Sequence, residues 1–243
     1  MKQRHGPGLL SALLFAMLTG QNAQATCRQA LVMALDVSSS VDVTEYQLQL
    51  TGLVGALNDP EVAQLLLSQP NAPIWLAVFE WSGRNAQRVI IPWQALETKA
   101  DLSSISAVLA TQTQPSGTRP TGLGAALRFA GQLLLTGPDC WQRTIDVSGD
   151  GKNNDGIRPL LGKASTIYAN TTVNGLVIGT DAPPGDQIPG NEIAELTSYY
   201  RQEVIHGPDA FIESALGFED FQAAMTRKLL RELTIAVASV SRP

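Results

Sequence analysis

The sequence has few of the residues that form soft-metal sites and catalytic dyads. Two histidines and two cysteines occur among 243 residues, and neither a G-x-S-x-G nucleophile turn nor a P-loop is present. A histidine/cysteine cage for zinc is therefore disfavoured. No residue pattern supplies a general base either, so we expect a protein that is not an enzyme. Metal-assisted hydrolysis of an unknown substrate is the catalytic alternative.

Basic residues are also scarce, and they do not cluster. The chain has 17 lysines and arginines against 22 aspartates and glutamates, a formal net charge of −5. Without a basic stripe there is no counterion release to drive binding to nucleic acid, and no attraction to an anionic membrane surface. A partner must therefore be a protein, or a small ligand that is held through a metal.

Long apolar runs are confined to the amino terminus. Residues 9–18 form one such run, which follows Lys2 and Arg4 and precedes Ala23-Gln24-Ala25. This arrangement is typical of a secretory signal peptide with an A-x-A cleavage site, here residues 1–25. The run is about half of the ~20 apolar residues that cross a bilayer, and no second candidate follows it. We therefore expect a periplasmic or secreted protein with no integral membrane segment after signal removal.

The rest of the chain, residues 26–243, is expected to form one domain. It has no internal repeat and no low-complexity linker, and loss of Lys2 and Arg4 leaves 15 basic against 22 acidic side chains. α/β domains commonly reach about 200 residues around a single core. Residues 182–190, rich in proline and glycine, are the one long irregular insertion that we expect.

Strand signals alternate with helical ones along this domain. Residues 30–35 are a continuous apolar run, as in a strand buried on both faces. Residues 74–81 and 88–93 are too close in sequence for a crossover helix, which indicates a hairpin at an antiparallel edge. The pattern predicts an α/β fold: a doubly wound, mostly parallel central sheet with one antiparallel edge strand and helices on both faces. The other predicted strands are 145–148, 172–179 and 210–212, and an amphipathic helix carrying Phe218 to Leu233 ends the chain.

The two cysteines stand at corresponding places before two of these strands. Cys27 lies nine residues before Asp36 and Cys140 ten before Asp150, and each of these aspartates follows an apolar strand. If the strands are parallel neighbours in register, the two sulfurs lie side by side. A Cys27–Cys140 disulfide is the prediction for an oxidising compartment, and two buried free thiols are the alternative.

Oxygen-bearing side chains follow the same strands. Asp36, Ser38 and Ser40 occupy one short loop, Asp150 leaves a second strand, and Thr121 begins a helix after a Gly/Pro-rich loop. Ligands bind at the carboxyl edge of open parallel sheets, where these three loops can converge. An oxygen-only set with two carboxylates favours Mg²⁺, with Mn²⁺ or Ca²⁺ as alternatives. A purely structural explanation is that a residue of the serine-rich turn caps the next helix.

These residues resemble the metal-ion-dependent adhesion site of von Willebrand factor type A domains, and the order of strands and helices agrees. The resemblance implies that Ser38, Ser40 and Thr121 coordinate the metal directly, and that Asp36 and Asp150 do so directly or through water. Thr118 is a rival on the same loop, but Thr121 has the family's spacing to a buried aliphatic residue. A narrower resemblance, to the bacterial family called domain of unknown function 1194, rests on residues 78–83, 145–151, 181–185 and 227–229.

The resemblance also implies a function. We expect an exported, divalent-cation-dependent protein-binding module for adhesion or assembly. An ion that stays electron-poor prefers an anionic oxygen at its open position, such as a carboxylate of a partner protein. The alternative within the same fold is a metal that only stabilises the domain. The Asn153-Asn154-Asp155 run is expected to form a turn or rim of the site, and residues 181–185 either border the metal face or form a plain surface loop.

Overall fold

A computed structural model describes residues 27–179 and 191–240 and contains a six-stranded sheet with the order β3-β2-β1-β4-β5-β6. The pairing of β2 with β3 is antiparallel, and the four other pairings are parallel. The α/β fold class predicted from the sequence is therefore confirmed. The predicted signal peptide and the 181–190 segment lie outside the described residues. The strands are β1 (Cys27–Asp36), β2 (Ile74–Trp81), β3 (Gln87–Leu96), β4 (Cys140–Gly149), β5 (Thr172–Ile178) and β6 (Ile212–Ala215).

Helices cover both faces of the sheet and create two apolar cores. The central strand β1 serves both, because Leu31 and Met33 belong to one core while Ala30 and Val32 belong to the other. This explains its uninterrupted apolar sequence. In the described part of the chain, no helix is long and apolar enough to cross a membrane. The helices are α1 (Val43–Leu57), α2 (Pro60–Leu66), α3 (Lys99–Ala110), α4 (Leu123–Thr136), α5 (Pro159–Gly162), α6 (Asn191–Glu203) and α7 (Phe221–Val240).

Several elements differ from the sequence-based expectation, which did not include helices α2 and α5. Pro60 occupies the first turn of α2, where its missing N–H costs no hydrogen bond. The Asp59 side chain caps that helix by accepting from the backbone N–H groups of residues 61 and 62. Helix α6 was not predicted. The last strand begins at Ile212 rather than at residue 210, so the predicted strand 210–212 is shifted.

The two cysteines join β1 to β4. Cys27 and Cys140 are directly paired in the parallel register, and the structure contains the disulfide between them, with Cα atoms 4.5 Å apart. The same register continues to Leu35 opposite Ser148. The two strands therefore end together, which brings the loops that follow Asp36 and Gly149 to one point of the sheet edge.

Candidate metal site

The loop after β1 is a tight turn held by its own aspartate. Asp36 Oδ1 accepts a hydrogen bond from Ser38 N at 2.7 Å, and the Ser38 carbonyl accepts from Val41 N at 3.0 Å. Asp42 then caps α1 in a capping box with Glu45. The capping explanation therefore applies to Asp42, and the hydroxyls of Ser38 and Ser40 make other contacts.

Those hydroxyls form a chain that reaches the second carboxylate. Ser38 Oγ lies 3.1 Å from Ser40 Oγ, and Ser40 Oγ donates to Asp150 Oδ1 at 2.8 Å. Asp36 and Ser38 are fully buried, Asp150 is half-buried and Ser40 is exposed. The site is thus closed on the side of the sheet and open to solvent on the other.

The structure places Thr121, rather than Thr118, beside the Asp150 turn. Thr121 is buried and its Oγ1 lies 3.8 Å from the point where a Cβ would stand on Gly151, whereas Thr118 is exposed. Asn154 fixes the threonine from both sides: Oδ1 accepts from Thr121 N at 2.8 Å, and its backbone N–H donates to the Thr121 carbonyl at 2.9 Å. The Asn/Asp run after Asp150 therefore shapes the site.

Arg119 ties the threonine loop to the serine loop. Its backbone exchanges hydrogen bonds with Ser39, from Ser39 N to the Arg119 carbonyl at 2.7 Å and from Arg119 N to Ser39 Oγ at 2.9 Å. Its guanidinium donates through Nε to the Val37 carbonyl at 2.7 Å. Sequence reasoning did not identify Arg119, because nothing in its local sequence shows that the two loops meet.

The two carboxylates create an electrostatic cost that a cation would relieve. Burial raises the pKa of Asp36 well above its ordinary value, and the charge of Asp150 raises it further, against the hydrogen bonds from Ser38. Burial also raises the pKa of Asp150. Asp36 Oδ2 is buried and has no hydrogen-bond partner among the described residues. Such an orphaned acceptor beside a second carboxylate fits a divalent cation.

The donor set consists of carboxylate and hydroxyl oxygens, which are ligands for divalent cations. Within residues 27–179 and 191–240, no group of three or more His, Cys, Asp or Glu side chains is close enough to hold a metal. A zinc cage of the usual His/Cys composition is therefore absent from the described part of the chain.

A second layer of polar atoms lies beneath the carboxylates, around Gly149. A Cβ on this residue would stand 2.6 Å from the Tyr200 hydroxyl oxygen, 2.9 Å from Asp36 Oδ2 and 3.4 Å from Trp81 Cζ2. The Tyr200 hydroxyl and Trp81 Nε1 are buried and, among the described residues, have no hydrogen-bond partner. Sequence reasoning missed Tyr200, since it belongs to the helix that was not predicted.

Helix α6 also contacts the outer rim of the site. The Tyr199 hydroxyl accepts from Asn153 N at 3.2 Å, and Lys152 forms an ion pair with Glu195. A groove of about 290 Å³ runs between this helix and the Asp150–Gly151 turn. A second groove, of about 500 Å³, flanks the threonine loop and is lined in part by Arg84, Asn85, Arg128, Asn154 and Gly156.

The sheet order, the D-x-S-x-S loop, the threonine and the Asp-Gly turn at one edge define a von Willebrand factor A-like domain. Solved structures share this fold. Proximal thread matrix protein 1 from the mussel byssus has a TM-score of 0.61 and 15% identity over 87% of this chain and 49% of its own. The pilus adhesin SpaC of Lactobacillus rhamnosus GG has a TM-score of 0.57 and 13% identity, over 90% of this chain and 31% of its own. A von Willebrand factor type A protein from Catenulispora acidiphila has a TM-score of 0.53 and 13% identity, over 86% of this chain and 43% of its own.

A family model gives the narrower assignment. The family described as protein of unknown function (DUF1194) matches residues 26–237, and the chain belongs to it. No curated protein matches the sequence significantly. The chain spans about half the length of the mussel protein, which has also been solved with a zinc-occupied MIDAS motif. At these identities the solved structures establish the fold.

Proposed function

We propose that this chain is an exported protein-binding module that depends on a divalent cation held by Asp36, Ser38, Ser40, Thr121 and Asp150. One observation carries the proposal: a buried carboxylate, Asp36, lies with two serine hydroxyls and a second carboxylate where β1 and β4 end. The pKa of Asp36 is raised, and its Oδ2 has no hydrogen-bond partner among the described residues. A cation at this point offsets the repulsion between the carboxylates and provides Asp36 Oδ2 with a partner.

The exposure of the site supports capture of a partner's carboxylate. The buried side of the set carries Asp36 and Ser38, while Ser40 faces solvent. A Mg²⁺ ion takes six ligands and rarely obtains all of them from one protein. A glutamate or aspartate of a partner then completes the shell, and the two flanking grooves receive the residues around it.

Binding is favoured over hydrolysis by the position of His206, the one histidine among the described residues. His206 Nε2 makes a hydrogen bond with the Tyr168 carbonyl at 2.8 Å, and its backbone pairs with Val173 near the beginning of β5. The candidate metal site lies at the opposite, carboxyl edge of the sheet. Among the described residues, no imidazole base therefore stands beside the site.

The relatives and the disulfide support an extracytoplasmic location. A pilus adhesin and a byssus matrix protein share the fold. The byssus matrix protein has been solved with zinc in its metal-ion-dependent adhesion site (MIDAS) motif. The Cys27–Cys140 bridge is the kind of cross-link that persists in an oxidising compartment. We therefore propose a periplasmic or secreted protein that acts in adhesion or assembly.

Metal binding tests the site directly. Isothermal titration of the oxidised protein with Mg²⁺ and Mn²⁺ should give one ion per chain. Asp36→Ala and Asp150→Asn should weaken binding by more than about tenfold, because each removes negative charge from the set. Asp139→Asn is the matched control, since this exposed carboxylate pairs with Arg143 at the other edge of the sheet. If the wild-type protein binds neither ion, the proposed function is wrong.

Partner capture separates a binding role from a structural one. The native exported protein should retain a specific partner in Mg²⁺ and release it in chelator, and the Asp36→Ala variant should fail to retain it. A chelator that lowers the melting temperature but leaves partner retention unchanged would instead favour a metal that only stabilises the fold.

A further inference from the structure

Helix α6 brings a buried phenol to the carboxylate at the centre of the site. Tyr200 is fully buried, and its hydroxyl has no hydrogen-bond partner among the described residues. Asp36 Oδ2 is in the same condition. The Tyr200 hydroxyl is a hydrogen-bond donor and Asp36 Oδ2 is a charged acceptor, so the two atoms are complementary hydrogen-bonding groups.

Both atoms lie next to Gly149. They lie 2.6 Å and 2.9 Å from the single point where a Cβ of that residue would stand. Glycine leaves this space free of a side chain. Buried polar groups in native proteins are nearly always paired, directly or through an ordered water, because an unpaired one keeps its full desolvation cost.

The hydroxyl of Tyr200 is a hydrogen-bond donor at neutral pH, because a tyrosine phenol ordinarily loses its proton only at about pH 10. Towards a carboxylate oxygen it can then act in one way only, by donating that proton in a hydrogen bond.

We propose that Tyr200 is a positioning residue of the metal site, whose hydroxyl donates to Asp36 Oδ2 directly or across one water. This inference rests on the proposed metal-binding function. Asp36 Oδ1 is already held by Ser38 N at 2.7 Å, so Tyr200 would fix the second oxygen and with it the plane of the carboxylate. A carboxylate oxygen has two lone pairs, so Oδ2 would accept from Tyr200 with one and face the cation with the other. Hydrogen bonds to metal-ligating carboxylates typically change metal affinity by about 10- to 100-fold.

The same helix also contacts the outer rim of the site, where the Tyr199 hydroxyl accepts from Asn153 N and Glu195 pairs with Lys152. Helix α6 therefore contacts the loop that follows β4 and also carries Tyr200 beside Gly149.

Removal of one oxygen atom tests the proposal. Tyr200→Phe should weaken Mn²⁺ binding in isothermal titration by about tenfold or more. Tyr168→Phe is the matched control, because this buried phenol donates to the Leu127 carbonyl away from the metal site. It should bind Mn²⁺ within about twofold of wild type. Equal affinities of wild type and Tyr200→Phe, or equal losses in both variants, would overturn the role of Tyr200. Absence of Mn²⁺ binding in the wild-type protein would overturn the proposed function as well.

A spectroscopic measurement on the wild-type protein keeps the test independent of how the variant folds. Mn²⁺ addition should produce a near-ultraviolet tyrosine difference spectrum, because the hydrogen bond of a buried phenol changes. The signal should persist in Tyr168→Phe and disappear in Tyr200→Phe. A wild-type protein that binds Mn²⁺ without any tyrosine signal would contradict the proposal.

Discussion

Asp36 shows that a residue of a candidate metal site can destabilise the folded protein. It is a fully buried carboxylate next to a half-buried one, and without a cation the pair is repulsive. The surrounding turn offsets part of this cost through the hydrogen bond from Ser38 N. The D-x-S-x-S pattern indicated the chemistry of these side chains. The burial of these side chains, and the hydrogen bonds that link Ser38 and Ser40 to Asp150, depend on the neighbouring strand β4.

Gly149 is the residue where a small change should have a large effect. In Gly149→Ala the new Cβ would meet the Tyr200 hydroxyl and Asp36 Oδ2 at 2.6 and 2.9 Å, both closer than contact distance. We expect a loss of about 1–3 kcal/mol in the free energy of unfolding, measured with urea in the presence of chelator. Gly151→Ala, whose Cβ meets nothing nearer than Thr121 Oγ1 at 3.8 Å, should be nearly neutral. Similar losses in both variants would contradict this account.

At the level of elements, α7 is held by more than its apolar stripe. Phe221, Met225 and Leu229 are buried, as the helical periodicity predicts. Lys228 is buried as well, and it forms an ion pair with Asp146 of β4. The periodicity could not reveal this polar contact, because its partner comes from a strand that is distant in sequence.

Glu232 extends the same cluster. Gln29 of β1 donates to its Oε1 at 3.0 Å, and Asn174 of β5 donates to its Oε2 at 3.2 Å. Burial, followed by the charge of Asp146, raises its pKa to about 8, although Lys228 acts in the opposite direction. One residue of α7 thus contacts three of the strands that form the centre of the sheet, directly or through charge.

Replacement of Glu232 should make stability less dependent on pH. Because the pKa of Glu232 is raised from 4.5 to about 8, the folded protein holds the proton more tightly than the unfolded chain. The resulting stabilisation is fully present below pH 4.5 and is lost as the pH rises towards 8. Glu232→Gln should therefore gain stability relative to wild type between pH 5 and pH 8.5 in urea unfolding. The exposed Glu219→Gln should show no such trend, and a constant difference for Glu232→Gln would refute the assignment.

At the scale of the whole molecule, the disulfide links positions that are 113 residues apart. A cross-link over so long a segment restricts the unfolded chain strongly and typically contributes about 2–4 kcal/mol. The double variant Cys27→Ser/Cys140→Ser should lose about this amount in denaturant unfolding. A reductant should destabilise the wild-type protein by a similar amount and leave the double variant unchanged. A wild-type protein that is insensitive to complete reduction would contradict this prediction.

The global architecture was accessible from the sequence because its signals are local or periodic. The apolar runs predicted the central strands, the short separation of residues 74–81 and 88–93 predicted the antiparallel edge, and the cysteine spacing predicted the bridge that the structure contains. Helix α2 was missed since its proline is as compatible with a helix start as with a stop. Helix α6 was missed although Ile193, Leu196 and Tyr200 recur at helical spacing, because it follows a segment rich in proline and glycine that indicates a loop.

The sequence by itself determined the fold class, the cysteine pair and the side chains of the candidate site, because Asp36, Ser38, Ser40 and Asp150 lie immediately after strands whose ends must meet in a parallel sheet. Tertiary structure alone decided the environment of those side chains. It buried Asp36, set Thr121 rather than Thr118 beside Gly151, joined Arg119 to Ser39 and brought Tyr200 over Gly149. The physical reason is that burial and pairing are properties of the atoms packed around a side chain, and here those atoms come from loops and helices far away in the sequence.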